Sequence, residues 1–205
     1  MNAAAVAALL GGIALAWGQA TAPPAAPLTN TERIESGHIL SAAGKPASYR
    51  IRLLPLASFP ALPEPVAAQL AHRDCMIPQT YEAKQPENVI HGAFHAAGVT
   101  DWAALCSVRG TTTLYVFLAG AFDQPMALRS QADTTWLGAD PGESVLGSAW
   151  GIAVRTARQL RSDPEFRQSL SIDHDAIDDA WLEHSLTVHY DQDGKWLEVT
   201  AGTVN

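Results

Sequence analysis

The chain has no charged side chain before Glu32, and its longest apolar run, Ala3 to Trp17, covers about 15 residues. That is short of the roughly 20 a helix needs to cross a bilayer. Cysteine is scarce as well. The two present, Cys75 and Cys106, have no Cys-x-x-Cys or zinc-finger spacing, which excludes the common thiol-metal motifs. Gly-x-Ser-x-Gly, His-Glu-x-x-His, a Walker loop and Gly-x-Gly-x-x-Gly are all missing. In Gly147-Ser148-Ala149-Trp150-Gly151 the second glycine stands one residue too far from the serine for a nucleophile elbow. Basic charge is thin toward the C-terminus. Up to Ser162 there are 11 acidic and 11 basic side chains, whereas Asp163 to Asn205 holds 10 acidic and 2 basic. An acidic lobe of this kind repels phosphate backbones and anionic headgroups, so neither nucleic acid nor a membrane surface is an expected partner.

What is present begins with an address. The apolar core ends in Ala20-Thr21-Ala22 and is followed by Pro23-Pro24-Ala25-Ala26-Pro27, which reads as an export signal cleaved near Ala22. The first positive side chain is Arg33, so only the terminal amine supplies charge ahead of the core, and no cysteine follows it as a lipid anchor would require. Export to the periplasm or outside the cell is expected, with no stable membrane anchor after cleavage. Residues 23–32 form a disordered Pro-rich lead. The remainder, 33–205, is long enough for one domain with a sizeable core.

The compartment bears on the cysteines. Cys75 and Cys106 are either two buried thiols or a disulfide, and an oxidising environment favours the bridge. Closing a loop of about 30 residues would stabilise the fold by roughly 3–4 kcal/mol on the chain-entropy model.

Along the chain, Tyr49–Leu53 alternates with period two, as a half-buried strand does. Pro63 and Pro65 pre-set a helix start, and Val66 and Leu70 carry the helix to about Arg73. Three strands follow at Val89–Phe94, Trp102–Val108 and Thr112–Leu118, the last two joined at Arg109-Gly110. Ala119–Gly147 reads as loop with a short strand at Thr134–Leu137. Ser148–Leu160 begins like a strand and ends like a helix. Ile172, Ala176, Ile177, Ala180 and Trp181 have helical spacing, which predicts a helix over Asp173–Glu183. A hairpin closes the chain: Leu186–Tyr190, the turn Asp191–Gly194, then Trp196–Thr200. The expected fold is α+β, a mainly antiparallel sheet with two or three packed helices.

The strongest concentration of chemistry is Asp173-His174-Asp175, Asp178-Asp179 and Glu183-His184. On a helix, His174 and Asp178 lie one turn apart, as do Asp175 and Asp179. Carboxylates interleaved with imidazoles can hold a divalent cation or perform general acid–base work. The same residues also suit a helix N-terminus and the wet face of an amphipathic helix, and that structural reading is preferred. His91 and His95 would lie about 13 Å apart on one strand, too far for one metal. Asp101 is either a ligand contact or a turn-closing carboxylate beside a core Trp102, the latter preferred. Arg155, Arg158 and Arg161 suit a solvated face better than an anion clamp. No metal or other cofactor is expected.

Two resemblances go beyond local pattern. Asn88-Val89-Ile90-His91-Gly92-Ala93-Phe94 followed by Gly98-Val99-Thr100-Asp101-Trp102-Ala103 resembles one strand–loop–strand element of FG-GAP or VCBS repeats. In those repeats loop carboxylates hold calcium. Here Ala93, His95 and Ala97 occupy the matching positions and Asp101 alone remains, so the resemblance implies a hairpin lacking its calcium ligands. The order of Cys75-Met76-Ile77-Pro78, Asn88–Gly92, Thr100–Ala103, Ile172-Asp173-His174, Ile177-Asp178-Asp179 and His189-Tyr190 before Gly194–Leu197 resembles a family of uncharacterised exported bacterial proteins. That likeness implies an architecture and a compartment, and no activity.

The functional expectation is an exported envelope protein with a binding or structural role, its partner an envelope protein or a polysaccharide. Six tryptophans in a small chain and the missing catalytic motifs support it. A hydrolase working through 173–184, with or without a metal, is the first alternative. An inhibitor of a secreted enzyme, presenting a loop within Ala119–Gly147, is the second.

Overall fold

The computed structural model describes residues 31–40, 44–169 and 171–201. The expected signal, and the lead up to residue 30, lie outside the described residues. In chain order the strands begin β1 (Arg33–Leu40), β2 (Pro46–Leu54), β3 (Ile77–Gln79), β4 (Val89–Gly92), β5 (Asp101–Val108), β6 (Thr111–Phe117) and β7 (Met126–Ala132). They continue β8 (Leu137–Gly138), β9 (Val145–Ser148), β10 (Trp150–Arg155), β11 (Ala176–Trp181), β12 (Ser185–Gln192) and β13 (Lys195–Ala201). Three helices are present among the described residues: α1 (Glu64–His72), α2 (Ala157–Ser162) and α3 (Pro164–Ser169).

Among the described residues strand outweighs helix, 49% to 13%, so the expected α+β fold with packed helices gives way to a β-sandwich-like one. Two four-stranded antiparallel sheets, β4-β5-β6-β7 and β10-β11-β12-β13, form its centre. A third sheet, β1-β2-β9-β8 with β3 also on β2, joins them. Between the two central sheets lie Ala103, Leu105, Leu114 and Val116 from one side and Trp150, Ile152 and Ile177 from the other. The far face of β4–β7 presents Trp102, Ala104 and Cys106 to Val66 and Leu70 of α1. The far face of β10–β13 presents Ala176, Leu186, Val188 and Tyr190 to Leu160 of α2 and Phe166 of α3. Each central sheet is therefore apolar on both faces, a condition met only when both faces are covered.

That arrangement explains the largest correction. The helix expected over Asp173–Glu183 is the strand β11, paired with β10 on one side and β12 on the other. Ala176 and Ala180 face the helices, while Ile177 and Asp179 face the opposite sheet. Apolar residues serving two faces of one strand fall at i, i+1 and i+4, and so imitate a helical stripe. The segment read as loop, Ala119–Gly147, contains β7 and β8 and the start of β9. β1 was not anticipated either. The tight turns were. Arg109 and Gly110 (φ 51° and 80°) join β5 to β6, and Asp193 and Gly194 (φ 57° and 78°) join β12 to β13. Positive φ at both central residues is the type I′ geometry that matches strand twist. α2 starts at a capping box, with Thr156 Oγ1 accepting from Gln159 N and Gln159 Oε1 accepting from Thr156 N.

The segment from Cys75 to Tyr81 stitches the sheets together. Met76 and Ser107 of β5 exchange two backbone hydrogen bonds, 3.1 and 2.8 Å. Ile77–Gln79 pair with β2, and Tyr81 N donates to Ser148 O of β9 at 2.8 Å. Cys75 is disulfide-bonded to Cys106 of β5, Cα to Cα 5.2 Å. The bridge thus fastens the seam where it leaves α1. We expect that replacing both cysteines with serine lowers unfolding free energy by about 3–4 kcal/mol. Chemical denaturation of the oxidised chain and the variant measures this, and equal midpoints would refute it.

Candidate functional site

The seam continues into a loop that forms one wall of an open groove. Gln79, buried, closes the loop on itself: its Oε1 accepts from Glu87 N at 2.9 Å and its Nε2 donates to Glu87 O at 3.0 Å. Glu87 Oε1 returns the contact by accepting from Thr80 N at 2.8 Å. Asn88 then pins the far end. Its Nδ2 donates to Pro78 O (2.7 Å) and Trp150 O (3.1 Å), and its Oδ1 accepts from Ile152 N (3.0 Å). Asn88 has φ 68°, a left-handed conformation that asparagine tolerates better than most residues. Residues 80–87 are thereby held against β10.

The groove between this loop and β10 has a volume of about 1040 Å³ and is lined by Tyr81, Glu82, Lys84, Gln85, Asp140 and Asp178 among others. A second depression of about 430 Å³ shares Thr80, Tyr81, Ala83 and Asp140 with it and extends over Arg50 and Arg52 of β2. Tyr81 stands where the two meet. Tyr81 packs on two glycines: a Cβ at Gly138 would come within 2.8 Å of the ring atom Cε1, and one at Gly147 within 2.8 Å of Tyr81 Cβ. A side chain at Gly138 would meet the ring, and one at Gly147 the root of the Tyr81 side chain. Burial raises the Tyr81 phenol above its ordinary pKa, helped by the negative charges of Glu82, Glu183 and Asp140. The hydroxyl therefore stays a hydrogen-bond donor at neutral pH.

The residues picked out from sequence lie in several different places. Asp101, fully buried, accepts from Phe94 N (2.8 Å), His95 N (3.0 Å) and Ala119 N (2.8 Å), and its Oδ2 lies 2.8 Å from His95 Nδ1. Asp175 accepts from Ala93 N and from Ala157 N, the first residue of α2. Asp178 pairs with Arg155 Nε at 2.7 Å on the groove side. Asp179 points the other way, between the two central sheets. It accepts from Trp150 Nε1 at 2.6 Å and lies 2.6 Å from Arg129 Nε and 2.9 Å from His189 Nε2. The Arg129 N–H is not aligned with that oxygen, so the attraction there is chiefly between charges. His174 is buried and stacked on Tyr190, centroids 4.4 Å apart. His184 lies in the β11–β12 turn against the Trp181 ring, centroids 4.1 Å apart. Among the described residues no group of three His, Cys, Asp or Glu is placed to hold a metal ion.

Tyr81, Glu82, Lys84, Gln85 and Asp140 were passed over in the sequence. The one signal available was the polar, proline-punctuated run Thr80–Glu87 lying between two apolar strands, a pattern of exposed loops that often carry function. Comparison with protein-family models, curated proteins and solved structures yields no match, so the site stands on its own geometry.

Asp179→Asn should destabilise the protein by about 3 kcal/mol or more, because it removes the buried negative charge beside Arg129. Thermal or urea unfolding measures the loss. A variant as stable as the parent would show that the carboxylate is not structural.

Proposed function

We propose that this is an exported, non-catalytic binding protein whose groove receives a segment of an envelope polysaccharide. The observation that carries the reading is Tyr81 held on Gly138 and Gly147 where two depressions meet. A half-buried aromatic ring such as Tyr81 beside hydroxyl-bonding side chains offers a sugar ring apolar contact with donors and acceptors at the edges. Glu82 and Asp140 supply acceptors, Lys84 and the Tyr81 hydroxyl supply donors, and Gln85 supplies both. The groove is open to solvent, which suits a polymer rather than an enclosed small molecule.

Export is supported by the uncharged apolar start of the chain and by the Cys75–Cys106 disulfide. No helix among the described residues is long and apolar enough to cross a membrane. The binding reading is also supported by the dispersal of the candidate carboxylates. Asp101, Asp175 and Asp179 each accept hydrogen bonds from groups that fold the chain, in three separate places.

The mature chain, residues 23–205, should be retained by insoluble envelope polysaccharide and released by soluble fragments of it. Tyr81→Ala should weaken retention about tenfold, near 1.4 kcal/mol of contact, while Tyr81→Phe keeps most of it. Retention equal in Tyr81→Ala and the parent, or release only by an envelope protein, would overturn the proposal.

A further inference from the structure

The three sheets end in strand edges, and among the described residues most of these are covered. Asn88, at the head of β4, bonds to Trp150 O and Ile152 N of β10, and Asp175 bonds to Ala93 just after β4. The β4 and β10 edges therefore lie against each other. At the opposite side Arg129 of β7 stands 3.7 Å from Glu198 of β13. β8 is only two residues long. β1 is different. It is eight residues long, and it pairs with β2 alone, without a register shift. It has no proline, lysine or bulge, devices that commonly stop an edge from accepting another strand.

β1 does carry two charges, Arg33 and Glu35. They are two residues apart and so share one face, where they stand opposite the buried Leu53 and Ile51 of β2. Arg33 is exposed and Glu35 half-buried, and neither has an ion-pair partner among the described residues. Charges on that face of an edge usually repel an incoming strand. Here the opposite signs at i and i+2 make the strand complementary to its own reverse. In an antiparallel two-fold pair centred on Ile34, Arg33 of each copy stands directly opposite Glu35 of the other. On the other face the two Ile34 side chains, each 42% exposed, meet at the centre. Neighbouring centres do worse. Pairing about Glu35 sets like charges together, and pairing about Ser36 or Gly37 sets Arg33 or Glu35 opposite Ile39.

We propose that β1 is a docking edge for a second copy of this chain, the two β1 strands pairing antiparallel about Ile34. The choice of a second copy rests on charge complementarity: Arg33 and Glu35 find their counter-charges in the same strand reversed. A two-fold axis through such a pair stands perpendicular to the sheet, so both copies keep the same face on the same side. Ile34 also lines the depression of about 430 Å³ beside the groove, and the pairing sets two of these depressions next to each other. The pairing does not depend on what they bind. A single strand-to-strand contact is small among specific interfaces, so the dimer is reversible.

Sedimentation velocity of the mature chain, residues 23–205, tests this without any polysaccharide present. Between about 1 and about 500 μM it should show a monomer–dimer equilibrium. Arg33→Glu, at an exposed side chain, puts two like-charged pairs into the contact and should weaken dimerisation at least about tenfold. Combining Arg33→Glu with Glu35→Arg exchanges the signs and should restore it to within about threefold. Ile34→Cys tests the register by a separate route. Directly opposed residues have Cα atoms about 4.5–5.5 Å apart, within disulfide reach, so mild oxidation should link two copies. Leu40→Cys, near the end of the strand, should not link them. A parent that stays monomeric, an unweakened Arg33→Glu, a folded exchange variant without recovery, or equal cross-linking at positions 34 and 40 overturns the proposal. Should the exchange variant not fold, the two cysteine variants decide.

Discussion

Asn88 is where the three sheets and the groove meet. It holds β3 through Pro78 O and holds β10 through Trp150 O and Ile152 N, while its own carbonyl accepts from Leu105 N of β5 at 3.0 Å. It is 1% exposed, so none of these bonds competes with bulk water, and each group left without its partner would carry a full desolvation cost. The left-handed backbone at this position turns the chain from the loop into β4. The wall of the groove, residues 80–87, is suspended between Gln79 and this one side chain. Packing around it is apolar and directionless. Asn88 and the β3 seam supply the direction.

A second polar junction, Asp179, plays a comparable part between the two central sheets. It belongs to β11 yet pairs with Arg129 of β7, and Arg129 Cζ lies 5.4 Å from the centroid of the Trp136 ring. Trp136 in turn meets Trp150 edge-on with centroids 5.1 Å apart, and Trp150 donates its indole N–H back to Asp179. The tryptophans that suggested a binding surface from sequence thus include a closed internal cluster. The proposed binding site lies elsewhere, on the Thr80–Glu87 loop where it faces β10.

The features legible in the sequence were those whose cause is local. Alternation marked β2, paired prolines marked the start of α1, and Arg109-Gly110 and Asp193-Gly194 marked turns because only their own backbone angles were at stake. The Cys75–Cys106 pairing followed from compartment and number. What could not be read was anything set by distant partners. Asn88 bonds to residues 62 and 64 positions away, and nothing near it in the chain foretells them. β11 was mistaken for a helix because burial on both faces spoils alternation, and because an aspartate in a central strand makes sense only once Arg129 and His189 are seen beside it. β1 was missed because it is an edge strand whose Ile34 and Leu40 remain exposed, so no buried stripe announced it. The site residues were missed for a related reason: the groove is made by juxtaposing a loop with a strand about 70 residues further on.

The account rests on Asn88 tying the groove wall to the sandwich, and Asn88→Gly tests that directly. Glycine keeps the left-handed backbone at no steric cost and removes only the amide. Unfolding free energy and polysaccharide retention should be measured on the same preparation. The expected result is a loss of about 2 kcal/mol or more in stability, together with weakened retention by the fraction that remains folded. A variant that matches the parent in both would contradict the account.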